Sequence, residues 1–374
     1  MKIHCSKEEL FQGVQTIQST LSGRTTLPIL LNFLIETENS KIKMVSTDLE
    51  MGVKHYIGAE VESDGSITIP SKKFSEILHS LPDGHEIELS VDAGGKVQLK
   101  CGRSRFGIVG APKSEYPILP EFNKPNAFEA SAGVIFNMIH KTLFSASSDE
   151  TRHVLNGIFW SGKKGVLEMV ATDGRRLAVA VKKALPREQD FQVIVPTKIL
   201  SELLRLLGAM ELEGEAGKGQ EKMLVSVTEN QIAFQLRETT LLSRLVGGSF
   251  PHYEQVIPGK KDISVEIDTQ ELLAVTKRAS LCAVDRGGAV KYTLSRGSLQ
   301  VTASSQSLEF SDELSLDYQG DDFHIAFNSQ FVIDALRHVD TKKVALGLTT
   351  PVNPALFEPA GDGDYRFVVM PMRF

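Results

Sequence analysis

Hydrophobic residues recur with helical spacing directly after three similar short segments, centred on positions 70, 196 and 328. The segments are Ile69 to Phe74, Val195 to Leu200 and Phe327 to Val332. Each leads into apolar residues at the i, i+3, i+4, i+7 spacing of one helix face. These are Phe74, Ile77, Leu78 and Leu81; Leu200, Leu203, Leu204 and Leu207; Val332, Ala335, Leu336 and Val339. Their hydroxyl residues Ser71, Thr197 and Ser329 are predicted to be the N-caps.

A second helical stripe opens each third of the chain. The stripes are Leu10, Val14, Ile17 and Leu21; Ile135, Met138, Ile139 and Leu143; and the weaker Leu272, Val275, Thr276 and Ala279. Between the helices lie alternating or β-branched runs broken by turn residues, which predict strands. Asp173 and Gly174, for example, separate the run 165–172 from the run 176–181 and predict a tight hairpin.

The pattern therefore predicts an α+β chain of three repeated units, each with two helices and antiparallel strands. An internal repeat indicates the architecture of a chain before any single motif does. Proline-bearing linkers fall near 117–125 and 250–258. We accordingly expect domain I over residues 1–122, domain II over 123–254 and domain III over 255–374.

Composition narrows the class of protein. The chain has 374 residues, of which 41% are hydrophobic and 24% charged, and no apolar run approaches the roughly 20 residues of a membrane span. The first residues lack the apolar stretch of a signal peptide, so a cytoplasmic location is expected. Cys5, Cys101 and Cys282 have no paired spacing, which favours buried thiols over a disulfide or metal site. No cofactor is expected.

The net charge of −6 argues against nucleic-acid binding unless cations gather on one surface. The polar faces of the second helices carry His79, Arg205 and Arg337 at equivalent positions, with Lys72, Lys198 and Gln330 near the helix starts. Acidic residues share these faces, so ordinary solvated helices are one interpretation. Another is that the helices line a hole: twelve helices from two copies, about 10 Å wide each, enclose a bore of about 38 Å.

No catalytic motif stands out. Walker A, H-E-x-x-H, G-x-S-x-G and clustered Cys/His patterns are absent from the sequence. Two alternatives to a ring whose hole admits a DNA duplex remain open at this point. One is an enzyme that assembles scattered carboxylates, and the other is a peptide-binding scaffold that never encircles DNA. The threefold repeat speaks against the enzyme, because catalytic residues normally interrupt a repeat at one place.

Several segments resemble the bacterial DNA polymerase III beta subunit family, the beta sliding clamps, in the same order from end to end. They are 23–30, 47–51, 102–106, 155–157, 171–178 and 368–374. The resemblance implies a head-to-tail homodimeric ring with helices inside and sheets outside, which encircles double-stranded DNA without reading its sequence. It implies a non-catalytic processivity factor, loaded by a clamp loader, that tethers the replicative polymerase and other proteins carrying clamp-binding peptides.

The same resemblance and the helix pattern nominate site residues. Expected DNA contacts are Arg24, Lys72, Lys73, Arg103, Arg105, Arg152, Lys198 and Arg205. The expected groove for partner peptides, between domains II and III, comprises Leu155, Thr172, Gly174, Arg175, Arg176, Leu177, Pro251, Val256, Asn328, Phe331, Val352, Val368, Val369, Met370, Pro371, Met372, Arg373 and Phe374.

For the dimer interface, Phe106 and Ile108 are expected to meet Leu281 and Cys282 of the second copy. The sequence also departs from the family pattern near the groove. Glu254 and Gln255 stand where many members have an arginine, and Gly287 and Gly288 stand where an aromatic or basic residue is common.

Overall fold

The computed structural model describes residues 1–21, 25–186, 189–212, 221–283 and 287–373. Two predicted site residues, Arg24 and Phe374, lie outside these ranges. The described residues contain six α-helices, two in each sequence repeat. They are α1 Lys7–Ile17, α2 Ser71–Ser80, α3 Ala132–His140, α4 Thr197–Leu212, α5 Thr269–Ser280 and α6 Ser329–Arg337.

The strands also follow the repeats. The first repeat contains β1 Lys2–Ser6, β2 Asn32–Glu38, β3 Lys41–Thr47, β4 Met51–Gly58, β5 Glu60–Ser63, β6 Ser66–Pro70, β7 Glu86–Val91, β8 Lys96–Cys101 and β9 Ser104–Val109. The second contains β10 Ala127–Ser131, β11 Gly157–Lys163, β12 Val166–Thr172, β13 Arg176–Lys183, β14 Phe191–Pro196, β15 Lys222–Val227, β16 Gln231–Leu236 and β17 Thr239–Arg244. The third contains β18 Ile263–Asp268, β19 Ala289–Ser295, β20 Ser298–Ser304, β21 Glu309–Ser315, β22 Phe323–Asn328, β23 Lys343–Leu348, β24 Ala355–Pro359 and β25 Tyr365–Val369.

Most residues of the predicted apolar stripes are buried on these helices, but Ile77 and Leu204 are half-buried, and Leu21 and Leu143 lie beyond the ends of α1 and α3. In α2, Phe74 and Leu78 are fully buried, and Val332 and Leu336 are buried at the equivalent places in α6. The charged residues predicted on the opposite faces, His79, Arg205 and Arg337, are exposed. Helical periodicity therefore placed both faces correctly, because residues three and four apart share one side of a helix.

The predicted N-cap residues are wrong by one position. Ser71, Thr197 and Ser329 are the first residues of their helices. In α6 the cap is Asn328, whose side-chain oxygen accepts the Gln330 N–H at 2.9 Å. The cap of α2 is Pro70, which offers no side-chain bond, and the buried Ser71 hydroxyl has no partner among the described residues. An asparagine side chain caps a helix as well as serine does, because its oxygen accepts the same backbone N–H.

The chain divides into two compact units. The first comprises Met1–Gly133 with Lys198–Leu245, and the second comprises Val134–Thr197 with Val246–Phe374. Each unit thus takes elements from the central sequence repeat. The predicted bounds of three domains stay a prediction.

The first unit contains two antiparallel sheets. Their strand orders are β5-β1-β7-β8-β9 and β10-β15-β16-β17-β4-β3-β2-β6. The larger sheet joins two repeats through β17 and β4, with Leu241 opposite Val53. Beyond that pair, the Arg244 N–H donates to the Glu50 carbonyl at 3.0 Å, which carries the pairing past the strand ends.

The second unit repeats this plan. Its sheets have the orders β14-β11-β12-β13-β25-β24-β23-β18 and β21-β20-β19-β22. Here β13 and β25 join two repeats, with Leu177 opposite Val368. Thr47 and Thr172, at the same place in their repeats, each donate a hydroxyl bond to the carbonyl four residues later, at 2.8 and 2.6 Å. The sequence repeat is therefore also a repeat of hydrogen bonding.

Phe74→Ala should strongly destabilise the first unit, because Phe74 is fully buried and packs at 5.5 Å, between ring centroids, against Phe33. Truncation of a buried phenylalanine costs about 3–5 kcal/mol. Ile118→Ala, at a residue that is 96% exposed, is the matched control and should change stability by less than about 0.5 kcal/mol. Urea unfolding followed by circular dichroism measures both; equal midpoints for the two variants would contradict the assigned core.

Candidate functional site

The turn between β12 and β13 is held by side-chain hydrogen bonds. The Gly174 N–H donates to the Thr172 hydroxyl at 3.0 Å, and the N–H groups of Arg175 and Arg176 donate to one Asp173 carboxylate oxygen at 2.9 and 3.1 Å. Gly174 has φ of +84°, which favours glycine because it has no Cβ. The predicted hairpin is confirmed, and its conformation is fixed by its own sequence.

The segment after β25 continues along this turn. The Met370 N–H donates to the Arg175 carbonyl at 2.9 Å, and the Met372 N–H donates to the Ala326 carbonyl at 2.8 Å. Residues 370–372 therefore connect the turn to β22. The methionine side chains Met370 and Met372 are adaptable apolar groups, a chemistry common at peptide-binding surfaces.

An apolar cluster lies beside the turn. It consists of the buried residues Val170, Leu177, Val179, Tyr253, Leu356 and Val368, with Phe159, Val181, Phe250 and Ile257 packed against it. At the surface, Val256 is 42% exposed, Val352 is 70% exposed and Met370 is 39% exposed. Buried apolar side chains with partly exposed apolar neighbours are the usual composition of a ligand-binding groove.

Arg176 is the most connected polar residue of this region. Its guanidinium donates to Asp173 at 3.0 Å, to Asp334 at 2.7 Å and to the Phe144 carbonyl at 2.6 Å. It also lies over the rings of Phe144 and Phe331, at 5.6 and 4.7 Å from their centroids. The side chain is only 14% exposed, so its charge is compensated within the protein.

Asn328 has a structural role in addition to its place at the predicted groove. Besides capping α6, its amide donates to the Gly287 carbonyl at 3.1 Å. Gly287 and Gly288 have φ of +63° and +83°, and the Ser329 N–H donates to the Gly288 carbonyl at 2.7 Å. The glycine pair is thus explained by backbone conformation, since larger residues rarely adopt positive φ.

The predicted groove residues differ in exposure. Leu155, Leu177, Val368 and Val369 are buried, while Thr172, Arg176, Asn328, Phe331, Pro371 and Met372 are half-buried. Gly174, Arg175, Pro251, Val256, Val352, Met370 and Arg373 are exposed. Hydrogen bonds and packing directly connect the turn, β25, α6 and the segment after β25.

Sequence reasoning missed the groups that orient these residues. Asp173, Asp334 and Phe144 all bind Arg176, and none of them was predicted to belong to the groove. In the sequence, Asp334 stands out only as an acidic residue on a helix face. The available signal was its position one helical turn after Gln330, which makes an i, i+4 pair: the Gln330 amide donates to Asp334 at 2.6 Å.

Two histidines lie next to this network. The rings of His140 and His338 are 4.5 Å apart, and His338 stacks on Phe144 at 4.3 Å. The Nδ1 atom of His338 lies 2.7 Å from the Asp334 carbonyl. Burial lowers the pKa of His338 and the nearby His140 lowers it further, against an opposing effect of the Asp334 carbonyl.

The predicted DNA-contacting cations fall into two groups. Lys72, Arg103 and Arg105 are exposed. Four of the other described candidates have partners within the chain: Lys73 binds Glu76 at 2.9 Å, Lys198 binds Asp48, Arg205 binds Glu202 at 2.6 Å, and Arg152 donates to the Asp173 carbonyl at 3.1 Å. The second group presents less free charge to a phosphate than the sequence suggested.

Two sheets have an edge strand near the residues predicted for the dimer interface. β9 is an edge of the five-stranded sheet and carries the half-buried Phe106 and the buried Ile108. β21 is an edge of the four-stranded sheet in the other unit. Leu281 is 71% exposed, whereas Cys282 is buried, as are Cys5 and Cys101.

The described part of the chain shows neither a metal-binding group nor a membrane-spanning helix. Within the described ranges, no three His, Cys, Asp or Glu residues are arranged to hold a metal ion. No described helix has the length and apolar composition to cross a membrane.

Comparison with known proteins identifies the family. Models of the DNA polymerase III beta subunit match over residues 1–120 for its N-terminal domain, 130–252 for its central domain and 254–373 for its C-terminal domain. This chain belongs to the DNA polymerase III beta subunit family. The three-domain clamp fold with antiparallel sheets, expected from the resemblance, is confirmed, as is the function of a non-catalytic processivity subunit.

Individual relatives match over their full length. The beta sliding clamps of Escherichia coli K12 and Proteus mirabilis are each 31% identical to this chain, with all of both chains covered. The sliding clamp of Pseudomonas aeruginosa, solved bound to griselimycin, superposes with a TM-score of 0.93 at 31% identity over all of both chains. That of Bacillus subtilis superposes with a TM-score of 0.94 at 26% identity, covering 100% of this chain and 99% of that one.

The stability of the chain should fall on mild acidification. Because burial lowers the pKa of His338 in the folded state, the unfolded chain binds a proton there at higher pH. The stability contributed by neutral His338 is therefore present above its ordinary pKa of about 6.5 and lost below it. His338→Gln should reduce the difference between urea midpoints at pH 7.5 and 5.5, and substitution of the exposed His252→Gln should not. An unchanged difference in His338→Gln would contradict the assignment.

Proposed function

We propose that two copies of this chain close into a ring around duplex DNA in the cytoplasm, and that the groove beside the Thr172–Arg176 turn holds peptides from polymerases and other partners. The observation that carries the proposal is the connection of a fixed turn, an apolar cluster and a methionine-bearing segment that come from two sequence repeats. Family membership supports the proposal over the whole chain.

The chemistry of the groove favours an extended peptide with apolar side chains. The cluster around Leu177 and Val368 provides the apolar wall, and Val256, Val352 and Met370 offer exposed apolar surface. Polar groups such as the Asn328 side chain fix orientation, and apolar contacts supply most of the binding free energy. Ligand binding has a precedent in the family, since the clamp of Pseudomonas aeruginosa was solved bound to griselimycin.

DNA contact by this chain would be weak and independent of base sequence. The net charge is −6, and several of the candidate cations are already paired with carboxylates. Scattered contacts from Lys72, Arg103 and Arg105 to phosphates carry no sequence information. A ring holds DNA by enclosing it, so sliding tolerates low affinity and even benefits from it.

A head-to-tail pairing of edge strands would close the ring. The β9 edge carries Arg105, beside Arg103, whereas the β21 edge carries Glu309, Asp312 and Glu313. Unpaired strand edges readily accept a strand from another chain. Two different edges make a heterologous contact, and such contacts give closed assemblies when the rotation closes. A non-encircling scaffold, the alternative, would be a monomer with both edges free.

Removal of residues 370–374 should abolish peptide binding without dissociating the dimer. The deletion removes the bonds from Met370 to Arg175 and from Met372 to Ala326 and exposes one side of the groove. We expect a loss of about 30-fold or more in affinity for a clamp-binding peptide, as for removal of a binding hot spot. Fluorescence anisotropy measures the affinity and light scattering the mass, with Ile118→Ser, an exposed apolar residue elsewhere, as the control.

If the shortened chain instead has the mass of a single copy in solution while the full chain has twice 41.1 kDa, the segment is needed for assembly and the assignment to the groove is wrong.

Lys72→Ala with Arg103→Ala should weaken DNA binding equally on all sequences. Each phosphate contact removed should lower the slope of log affinity against log salt by about 0.9, hence by about 1.8 for both. Gel-shift titration over a salt series on two duplexes of different sequence measures this. Lys163→Ala with Lys183→Ala, which removes two exposed lysines of the second unit, is the matched control. A change confined to one duplex would contradict sequence-independent contact.

A further inference from the structure

We infer that Asp334 is a positioning residue for the partner-peptide groove, acting through Arg176. The inference rests on the proposed peptide-binding function and extends it to a residue outside the predicted groove. Asp334 lies in α6, and its side chain is only 18% exposed. It orients groups that contact the peptide without contacting it directly.

The carboxylate of Asp334 has both oxygens occupied. One accepts the Arg176 guanidinium at 2.7 Å, and the other accepts the Gln330 amide at 2.6 Å. Its main-chain carbonyl lies 2.7 Å from Nδ1 of His338. These three bonds hold the residue in place on α6 and aim one oxygen at Arg176. Because both oxygens accept bonds within the protein and the side chain is only 18% exposed, little of the carboxylate is accessible to an incoming peptide.

The Asp334 carboxylate compensates part of the charge of the Arg176 side chain. Its guanidinium is almost enclosed, between the rings of Phe144 and Phe331. Removal of one partner of a buried ion pair leaves an uncompensated charge, which drives the remaining side chain to seek water. Asp173 would still bind Arg176, but Asp173 belongs to the same turn and cannot tie it to α6.

Three parts of the groove depend on the position of Arg176. Its carbonyl accepts the Thr172 hydroxyl and so closes the turn. Its guanidinium lies over Phe331, a predicted groove residue. Its backbone pairs with Val369, immediately before the segment that begins at Met370. Loss of the Asp334 side chain would therefore loosen three features together: the turn, the position of the Phe331 ring and the start of the segment at Met370.

The experiment compares Asp334→Asn and Asp334→Ala in the full chain, with a fluorescein-labelled Gln-Leu-Ala-Leu-Phe peptide as the probe. Asparagine keeps the shape and removes the charge. We expect affinity to fall about threefold to tenfold for Asp334→Asn and about tenfold or more for Asp334→Ala, mostly through faster dissociation. The dimer mass should not change. Asp364→Asn, which breaks the exposed 2.7 Å ion pair with Lys182 in the same unit, is the matched control and should change affinity less than twofold.

A double-mutant cycle separates positioning from general stabilisation. If Asp334 acts through Arg176, then Asp334→Ala combined with Arg176→Met should bind the probe no more weakly than Arg176→Met alone. Additive losses would overturn the inference, as would wild-type affinity in Asp334→Asn and Asp334→Ala. Should Asp334→Ala fail to fold, the isosteric Asp334→Asn decides the question alone. Failure of the unmodified chain to bind the probe would instead overturn the proposed function.

Discussion

The pairing of β13 with β25 is the interaction on which the rest of the second unit depends. It joins strands about 190 residues apart in sequence and places Leu177 opposite Val368 in one continuous eight-stranded sheet. Because of that register, the turn at the start of β13 lies beside the segment that leaves β25. The proposed groove therefore depends on sheet continuity between two repeats. Neither repeat could form it alone.

Several positively charged side chains of this protein bind other groups of the same chain. Arg176 directs its guanidinium to two carboxylates and a carbonyl, and Arg205 and Lys198 are paired with Glu202 and Asp48. Among the described candidates for DNA contact, Lys72, Arg103 and Arg105 are exposed, in a chain with a net charge of −6. Such an arrangement suits a protein that encloses its DNA, because tight phosphate contacts would slow its movement along the duplex.

The sequence predicted what depends on short-range periodicity. The six described helices, their buried faces and the hairpin at Asp173 and Gly174 follow from helical spacing and local turn chemistry. The division into two compact units and the β13–β25 pairing did not follow, because strand partners distant in sequence are chosen by the packing of the whole sheet. Asp334 was missed for the same reason: its partner Arg176 lies 158 residues away. The glycine pair at 287 and 288, predicted to depart from the family pattern, has positive φ values that favour glycine.

The central claim is that two copies enclose duplex DNA and retain it by topology. Retention on a nicked circular plasmid, measured by gel filtration after loading by a clamp loader with ATP, tests this most directly. The protein should co-elute with the circle and be released when one cut linearises the plasmid. Equal loss from circular and linear DNA, with the protein eluting as a 41.1 kDa monomer, would contradict it.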